Sequence, residues 1–441
     1  MLAAIKEVAK QFLEKTESKE IQVISHHDTD GITSASIMTK ALYRLGRPFS
    51  VRIVKQLEES TILELPQDKV IIFLDLASNS FQYIEKLNTE VFILDHHELT
   101  PNIVLPKNVT IINPHLFNEE NISGAGLTYL FSKELDEQNK DLAYLAVIGM
   151  VGDLMEKNFG KIYSQIIKDS KVIVKKGLIL YPATRPIDRV LEYSSDVYIP
   201  GVTGSGPGTN DFLRDLGFKK INGHYKSSIE LTNEELSKLI TAITLQRADP
   251  GDSSEIVGNI YLLNIFGKVE DARQISAMIN ATSRLGESGT AISFCLQNKN
   301  AKIRVDEIYT VYKQNIVKAL QSLPSLKKID SKNYLIINAE DKIKDTIIGT
   351  IASILSNSKE YEEGKAIIAM AYNENKIKVS ARIVGKNGNK NIRELLNSVI
   401  EEIGGEVGGH KFAAGCLIEK SKEDKFLEIL QKQLEIELVK I

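Results

Sequence analysis

The chain is 441 residues long, 43% apolar and 26% charged, with a formal net charge of −3. Those proportions belong to a soluble globular protein with room for two or three domains, each with a core of its own. They exclude a uniformly basic nucleic-acid binder but not a local basic groove, because phosphate affinity depends on where Lys and Arg cluster.

From the N-terminus, residues 1–18 form an amphipathic helix carrying Glu7, Glu14 and Glu17, unlike a secretory leader. A strand at 21–25 leads to a helix at 32–45, whose Ile32, Ala35, Ile37, Met38, Ala41, Leu42 and Leu45 make a broad apolar face. Strands follow at 50–55 and 69–74, then a helix near 79–87, a strand at 91–95 and a short strand at 109–112. Alternation of this kind predicts a parallel sheet wrapped by helices. Helices at 124–137, 140–153 and 159–176 come next. Pro and Gly crowd 181–212 and mark a domain boundary. Beyond it, a helix at 231–247, a strand at 256–265, a helix at 270–285 and a strand at 290–296 predict a compact α+β insert. A long helix at 300–322 reads as a connector. The last segment has a strand at 333–338, a helix at 344–355, strands at 365–372 and 376–383 and a helix at 391–402. A glycine-rich turn at 404–409 and a terminal helix at 422–438 complete a smaller α/β domain. No run approaches the length needed to cross a bilayer. Cys295 and Cys416 fit no metal-ligand spacing and are expected reduced and buried, in a cytoplasmic protein.

Three of the apolar strands end on metal-binding side chains. Residues 21–24 run into His26-His27-Asp28-Thr29-Asp30-Gly31, residues 70–74 into Asp75, and residues 91–94 into Asp95-His96-His97-Glu98. Four of the seven histidines stand in the two pairs. In an open parallel sheet, strand ends of one polarity share one edge, so these groups are expected in one crevice. Asp28 and Asp30, one residue apart, would project to the same side of an extended chain. Asp75 can bridge two cations, His96 can offer a neutral imidazole nitrogen, and Asp95 can orient a ring from behind. Asp153 ends an apolar helix after Gly149 and Gly152, an odd place for an acid unless it reaches a site. Oxygen and imidazole ligands without thiolate favour manganese or magnesium over structural zinc. A pair of such ions suits phosphoryl chemistry.

The set His26-x-Asp28-x-Asp30-Gly31, Asp75, Asp95-His96-His97 and Asp153 resembles the four motifs of the DHH phosphoesterase superfamily. Ser380-Ala381-Arg382 and the run 404–415, with Gly408-Gly409-His410, resemble that superfamily's nucleic-acid-binding partner domain. Val407 stands where the family often has a third glycine. Asp271-Ala272-Arg273, Ile279-Asn280-Ala281 and Arg284 resemble archaeal RecJ-like proteins, including the GINS-associated nuclease. The resemblance implies an α/β fold with a parallel-sheet catalytic domain (1–190), an inserted α+β domain (191–300), a connector helix (301–329) and a substrate-binding domain (330–441) across a cleft. It implies one divalent cation on His26, Asp28 and Asp75, and a second on Asp30, Asp75, His96 and Asp153, manganese ahead of magnesium. His97, backed by Asp95, would contact the scissile phosphate; Arg382, Gly408, Gly409 and His410 would bind substrate. The implied activity is single-strand-specific exonuclease cleavage of DNA or RNA, in replication or repair, with the GINS complex as a partner and no membrane.

Competing readings stay open at this point. The same ion site suits a phosphoesterase of short oligonucleotides or nucleoside bisphosphates, and the insert suits a GINS-bound scaffold with residual nuclease activity. Asp28 and Asp30 alone could be a helix cap and a turn acid. Residues 123–126 can cradle a phosphate at a helix start or form a plain turn, and residues 204–208 read as a linker. His115 suits a structural or a substrate-side role, and Arg382 alone could be an ion-pair partner. Basic residues for a backbone track include Lys386, Lys390, Arg393 and Lys411.

Overall fold

A computed structural model describes residues 1–436 apart from 56, 100–103, 118–119, 121, 158–159, 181, 195–198, 247–255, 359 and 386–389. Of the basic residues named above, Lys386 lies outside this set. The chain forms two compact units, one of residues 1–190 and 210–309, the other of residues 191–209 and 310–441.

In the first unit, strands β1 (Ile21–His26), β2 (Phe49–Val54), β3 (Val70–Leu74), β4 (Val91–Leu94) and β5 (Val109–Ile112) form a wholly parallel sheet in the order β2-β1-β3-β4-β5. Side chains alternate between its faces. Val70, Ile72 and Leu74 join one core, whereas Ile71 and Phe73 join another on the opposite side. Both faces are therefore apolar, which is why β3 and β4 read as unbroken hydrophobic runs. Helices α1 (Leu2–Lys15) and α2 (Thr29–Arg44) contribute to the first core. The short α3 (Glu59–Leu63) and α4 (Phe81–Ile84) contribute to the second. Next come α5 (Gly124–Leu135), α6 (Ala143–Gly152) and α7 (Lys161–Ser170), which also feed the first core. Phe12 of α1 is fully buried between the rings of Phe92 and Phe131, at centroid distances of 5.1 and 5.4 Å.

The helix expected over 159–176 stops at Ser170. Lys171 takes a left-handed φ of 56°, and β6 (Ile173–Leu178) follows. Val172, Ile173 and Val174 are β-branched residues that favour this extended path. After α8 (Ile187–Glu192), α9 (Gly206–Asp215) and α10 (Asn233–Gln246), strands β7 (Val257–Ile265) and β8 (Lys268–Asp271) pair with β6 in an antiparallel sheet, β6-β7-β8. Helix α11 (Ala272–Arg284) packs on α2 and α6. The strand expected at 290–296 is instead helix α12 (Ser288–Cys295). Its buried Ala291, Phe294 and Cys295 stand at i, i+3 and i+4, a helical spacing hidden in a short apolar run. Residues 210–309 thus share a body with the parallel sheet, and Thr29 Oγ1 donates to the Ser276 carbonyl at 2.9 Å to tie α2 to α11.

Helix α13 (Lys299–Ser322) runs from the first unit into the second. There β9 (Lys327–Asp330), β10 (Tyr334–Asn338), β11 (Ala366–Asn373), β12 (Lys376–Ile383), β13 (Glu406–His410) and β14 (Ala413–Glu419) form one sheet, ordered β13-β14-β12-β11-β10-β9. Only β10 and β11 are parallel. Helix α14 (Asp345–Asn357) packs on β11 and β12; α15 (Ile392–Ile403) and α16 (Glu423–Ile436) close the second core. The glycine-rich turn expected at 404–409 is largely strand β13. Its pairing with β14 needs glycine at Gly409, where φ is +119° and a Cβ would strike the Ala413 carbonyl. No helix among the described residues is long and apolar enough to cross a membrane. Phe12→Ala should cost about 3–5 kcal/mol of unfolding free energy, read by denaturant titration, because a cavity opens beneath the sheet.

Candidate metal centre

The carboxyl edge of the parallel sheet collects the chemistry. Strand β1 ends at His26, and the chain turns at once into α2, so Asp28 and Asp30 do not share an extended segment. Asp28 is the helix cap, accepting from the Gly31 N–H at 3.0 Å, and Asp30 sits in the first turn. Capping and clustering hold together. β3 delivers Asp75, whose φ of 60° is left-handed; β4 delivers Asp95, His96 and His97; the end of α6 delivers Asp153. His26 Nδ1 lies 2.9 Å from Asp28 Oδ2 and 3.9 Å from Asp75 Oδ2. His96 Nε2 lies 3.2 Å from Asp75 Oδ1, 3.1 Å from Asp153 Oδ2 and 3.8 Å from Asp30 Oδ2. Donor atoms of His26-Asp28-Asp75, of Asp30-His96-Asp153 and of Asp75-His96-His97 each fall within 4.8 Å of one another. Asp75 faces both histidines.

This cluster fits cations. Asp75 is 2% exposed, and its buried Oδ1 has no well-aligned hydrogen bond among the described residues, although His96 Nε2 lies 3.2 Å away. Such an atom is costly unless something positive completes it. Burial and the neighbouring Asp30, Asp28, Asp153 and Asp95 push the Asp75 carboxyl well above its usual range. Burial, Asp30 and Asp28 do the same to Asp153. Asp30 rises to about 6 through burial and Asp28, against the pull of the Ala125 N–H, Ser123 and the Gly124 N–H. For Asp28, burial works upward but the His26 charge and hydrogen bond outweigh it, so it stays low. Without a cation the centre therefore retains protons that a divalent ion would displace.

The start of α5 is neither a phosphate cradle nor a plain turn. The Gly124 and Ala125 N–H groups donate to Asp30 Oδ2 and Oδ1 at 2.6 and 3.0 Å, so the positive helix end already holds a carboxylate. Packing there leaves no slack. A Cβ at Gly149 would collide with Asp30 Oδ1 and with Ala125 Cβ. Asp95 stands behind the other residues, 1% exposed, accepting from Ser78 N, His96 N and His97 Nδ1 at 2.9, 2.8 and 2.7 Å. Burial lowers the affinity of the His97 ring for a proton, but the Asp95 hydrogen bond and charge prevail and lift its pKa to about 9. Sequence reasoning missed Asn113, which is wholly buried at the end of β5 and bonded to the His97 carbonyl and to Ser78 Oγ, both at 2.9 Å. Its signal was available: an Asn-Pro directly after a strand on the same sheet edge.

Of the remaining sequence candidates, Arg382, Gly408, Gly409 and His410 lie in the second unit and His115 in the first. Arg382 of β12 donates from Nε to Ser353 Oγ at 3.0 Å and from Nη1 to the Ala381 carbonyl at 2.8 Å. Arg382 and His410 both stand opposite Ala413 of β14, so the three share one face of the sheet, with small Ala413 in the middle. Ser380, Gly415 and Gly408 form the next row. His115 is exposed in a short turn whose N–H is capped by Asn113. Gly149→Ala should weaken Mn2+ binding in calorimetry and cost about 1–3 kcal/mol of stability, because the methyl displaces Asp30.

Comparison with known proteins identifies the domains and the fold. Residues 20–150 match the DHH family N-terminal domain, residues 180–259 the DHH-CID domain and residues 331–435 the DHHA1 domain. An uncharacterized protein of Methanocaldococcus jannaschii is 29% identical over 98% of this chain and 99% of its own length. The single-stranded-DNA-specific exonuclease RecJ of Thermus thermophilus is 25% identical over 38% of this chain and 26% of its own length. Its Mn2+ complex has the same fold, with a TM-score of 0.62 and 18% identity, over 98% of this chain and 55% of that one. CDC45 of Entamoeba histolytica shares the fold over 98% of this chain and 99% of its own, with a TM-score of 0.70 and 12% identity. The chain belongs to the DHH superfamily, with its DHH, DHH-CID and DHHA1 segments in a RecJ-like fold.

Proposed function

We propose that the chain is a metal-dependent exonuclease that hydrolyses terminal phosphodiesters of single-stranded DNA or RNA. The observation that carries this reading is Asp75, whose two oxygens face His26 on one side and His96 on the other. Two divalent cations, manganese ahead of magnesium, would be held by His26, Asp28 and Asp75 and by Asp30, Asp75, His96 and Asp153; when bound, they activate a water and neutralise charge on the phosphodiester. Asp75 is common to both sets. Asp30 is pre-oriented by the α5 N–H groups, so little ordering is left for the moment of binding. The hydrogen bond and charge of Asp95 raise the His97 pKa and so favour its protonated ring. Its Nδ1 is engaged by Asp95, so the opposite ring nitrogen is the one to donate to a phosphate oxygen. We assign substrate binding to Arg382, Gly408, Gly409 and His410, because a cation and an imidazole on one sheet face beside small residues suit a phosphate-sugar track. The RecJ relative, specific for single-stranded DNA by name, supports the strand-like substrate.

A second role, contact with the GINS complex through residues 191–300, would sit beside catalysis. The assembled acid and imidazole cluster in this chain argues for catalysis beside any such contact.

Digestion of end-labelled single strands of both sugars, with product sizing, tests the activity. Asp75→Ala should lower kcat by at least about 1000-fold while the far-ultraviolet spectrum stays native, since both ligand sets lose a member; near-normal turnover would refute the shared ligand. A pH dependence follows from Asp30, whose folded pKa of about 6 exceeds the ordinary 3.8. Between those values the folded chain holds a proton that the unfolded chain has lost, so metal-free stability falls as pH rises through this window. Cation binding removes that penalty and competes with the proton. The rise in Tm on adding Mn2+ should therefore be larger at about pH 7.5 than at about pH 5.

A further inference from the structure

We propose that Asn113 is a positioning residue that fixes His97 against the reacting phosphate, a role that rests on the hydrolytic reading above. Asn113 follows β5 directly and is fully buried. Its Nδ2 donates to the His97 carbonyl and to Ser78 Oγ, both at 2.9 Å, and its Oδ1 accepts from the His115 N–H at 3.0 Å. Ser78 N donates in turn to Asp95 Oδ2 at 2.9 Å, and Asp95 Oδ1 accepts from His97 Nδ1 at 2.7 Å. The chain of contacts closes on itself. Asp95 holds His97 by its ring, Asn113 holds it by its backbone, and Ser78 joins the two holders.

The plain alternative is that Asn113 caps the short turn Pro114–Leu116 and nothing more. A cap needs only the side-chain oxygen, and aspartate supplies one equally well. The two amide hydrogens are what a cap does not need. One of them reaches a carbonyl 16 positions earlier in the chain, on a different strand end. Only an amide offers two donors and an acceptor at this spot. Both oxygens of Asp95 are already engaged, so it cannot replace this hold on the His97 backbone. An imidazole released at its backbone shifts relative to the phosphate, and misplacement by about 1 Å costs on the order of 100-fold in rate.

The test uses the full chain loaded with Mn2+ and compares wild type with Asn113→Asp and Asn113→Ala. Three readouts are taken: kcat and KM on a labelled single strand, Mn2+ affinity by calorimetry, and, on the same chain loaded with diamagnetic Mg2+ instead, exchange of the His97 Nδ1 proton in histidine-labelled protein by NMR. Both variants should lose about 10- to 100-fold in kcat, keep KM and Mn2+ affinity within about twofold, and exchange the His97 proton faster. Should Asn113→Ala not fold, Ser78→Ala, which releases one amide hydrogen, carries the same readouts with a smaller loss. Wild-type kcat and a protected His97 proton in Asn113→Asp would overturn the proposal in favour of the cap. A fall in Mn2+ affinity parallel to activity would overturn it too, as collapse of the whole centre. If wild type cleaves no strand, the hydrolytic reading fails separately, and the His97 proton still decides whether Asn113 holds that residue.

Discussion

Several acids stand in one crevice at the sheet edge, three of them almost fully buried, and their mutual repulsion is the constraint around which the first unit is arranged. Asp75 feels it most, buried among Asp28, Asp30, Asp95 and Asp153, all of which raise its pKa or share its surroundings. A protein has three remedies for such crowding: protons, hydrogen-bond donors and cations. This chain applies donors selectively. Asp95 receives N–H groups and an imidazole, and Asp28 receives the Gly31 N–H and His26. Asp30 receives the start of α5. Asp75 Oδ1 receives no N–H or O–H group of the backbone or a neighbouring hydroxyl among the described residues, only the His96 ring at 3.2 Å. The acid left unanswered is the one that both histidines face.

The fold supplies the rest without special devices. Parallel strands with apolar faces on both sides must be buried in two layers, and that fixes their ends along one edge. Loops leaving that edge need polar residues to satisfy their backbone, and here those residues double as the centre. Asp28 caps α2, Asp95 gathers the N–H groups of its own loop, and Asn113 joins two strand ends. The segment around α11 and α12 then packs behind α2 and α6 and so stiffens the helices that bear Asp30 and Asp153.

Much of this was legible in the chain because strand ends and ligand types coincide. Apolar runs ending in acid or imidazole identify both the sheet and its working edge, and the separate strand-end motifs fall into the groups that the geometry brings together. What failed to show was set by tertiary context. The helix over 159–176 broke at Lys171 because Ile173 and Val174 pair with β7, a partner more than eighty residues away. Residues 290–296 looked extended because five apolar side chains in a short run do not reveal their period. The α5 start invited a phosphate reading because nothing local announces that Asp30, ninety-four positions earlier, fills it. Asn113 passed unnoticed because a lone amide has no chemistry of its own until its partners are known.

The account stands on Asp75 as the member shared by two cation sites. Anomalous diffraction at the manganese edge, from crystals grown with Mn2+, measures that directly. Two peaks are expected, one beside His26 and Asp28, the other beside Asp30, His96 and Asp153, with Asp75 touching both. A single peak, or a pair that leaves Asp75 without contact, would contradict it.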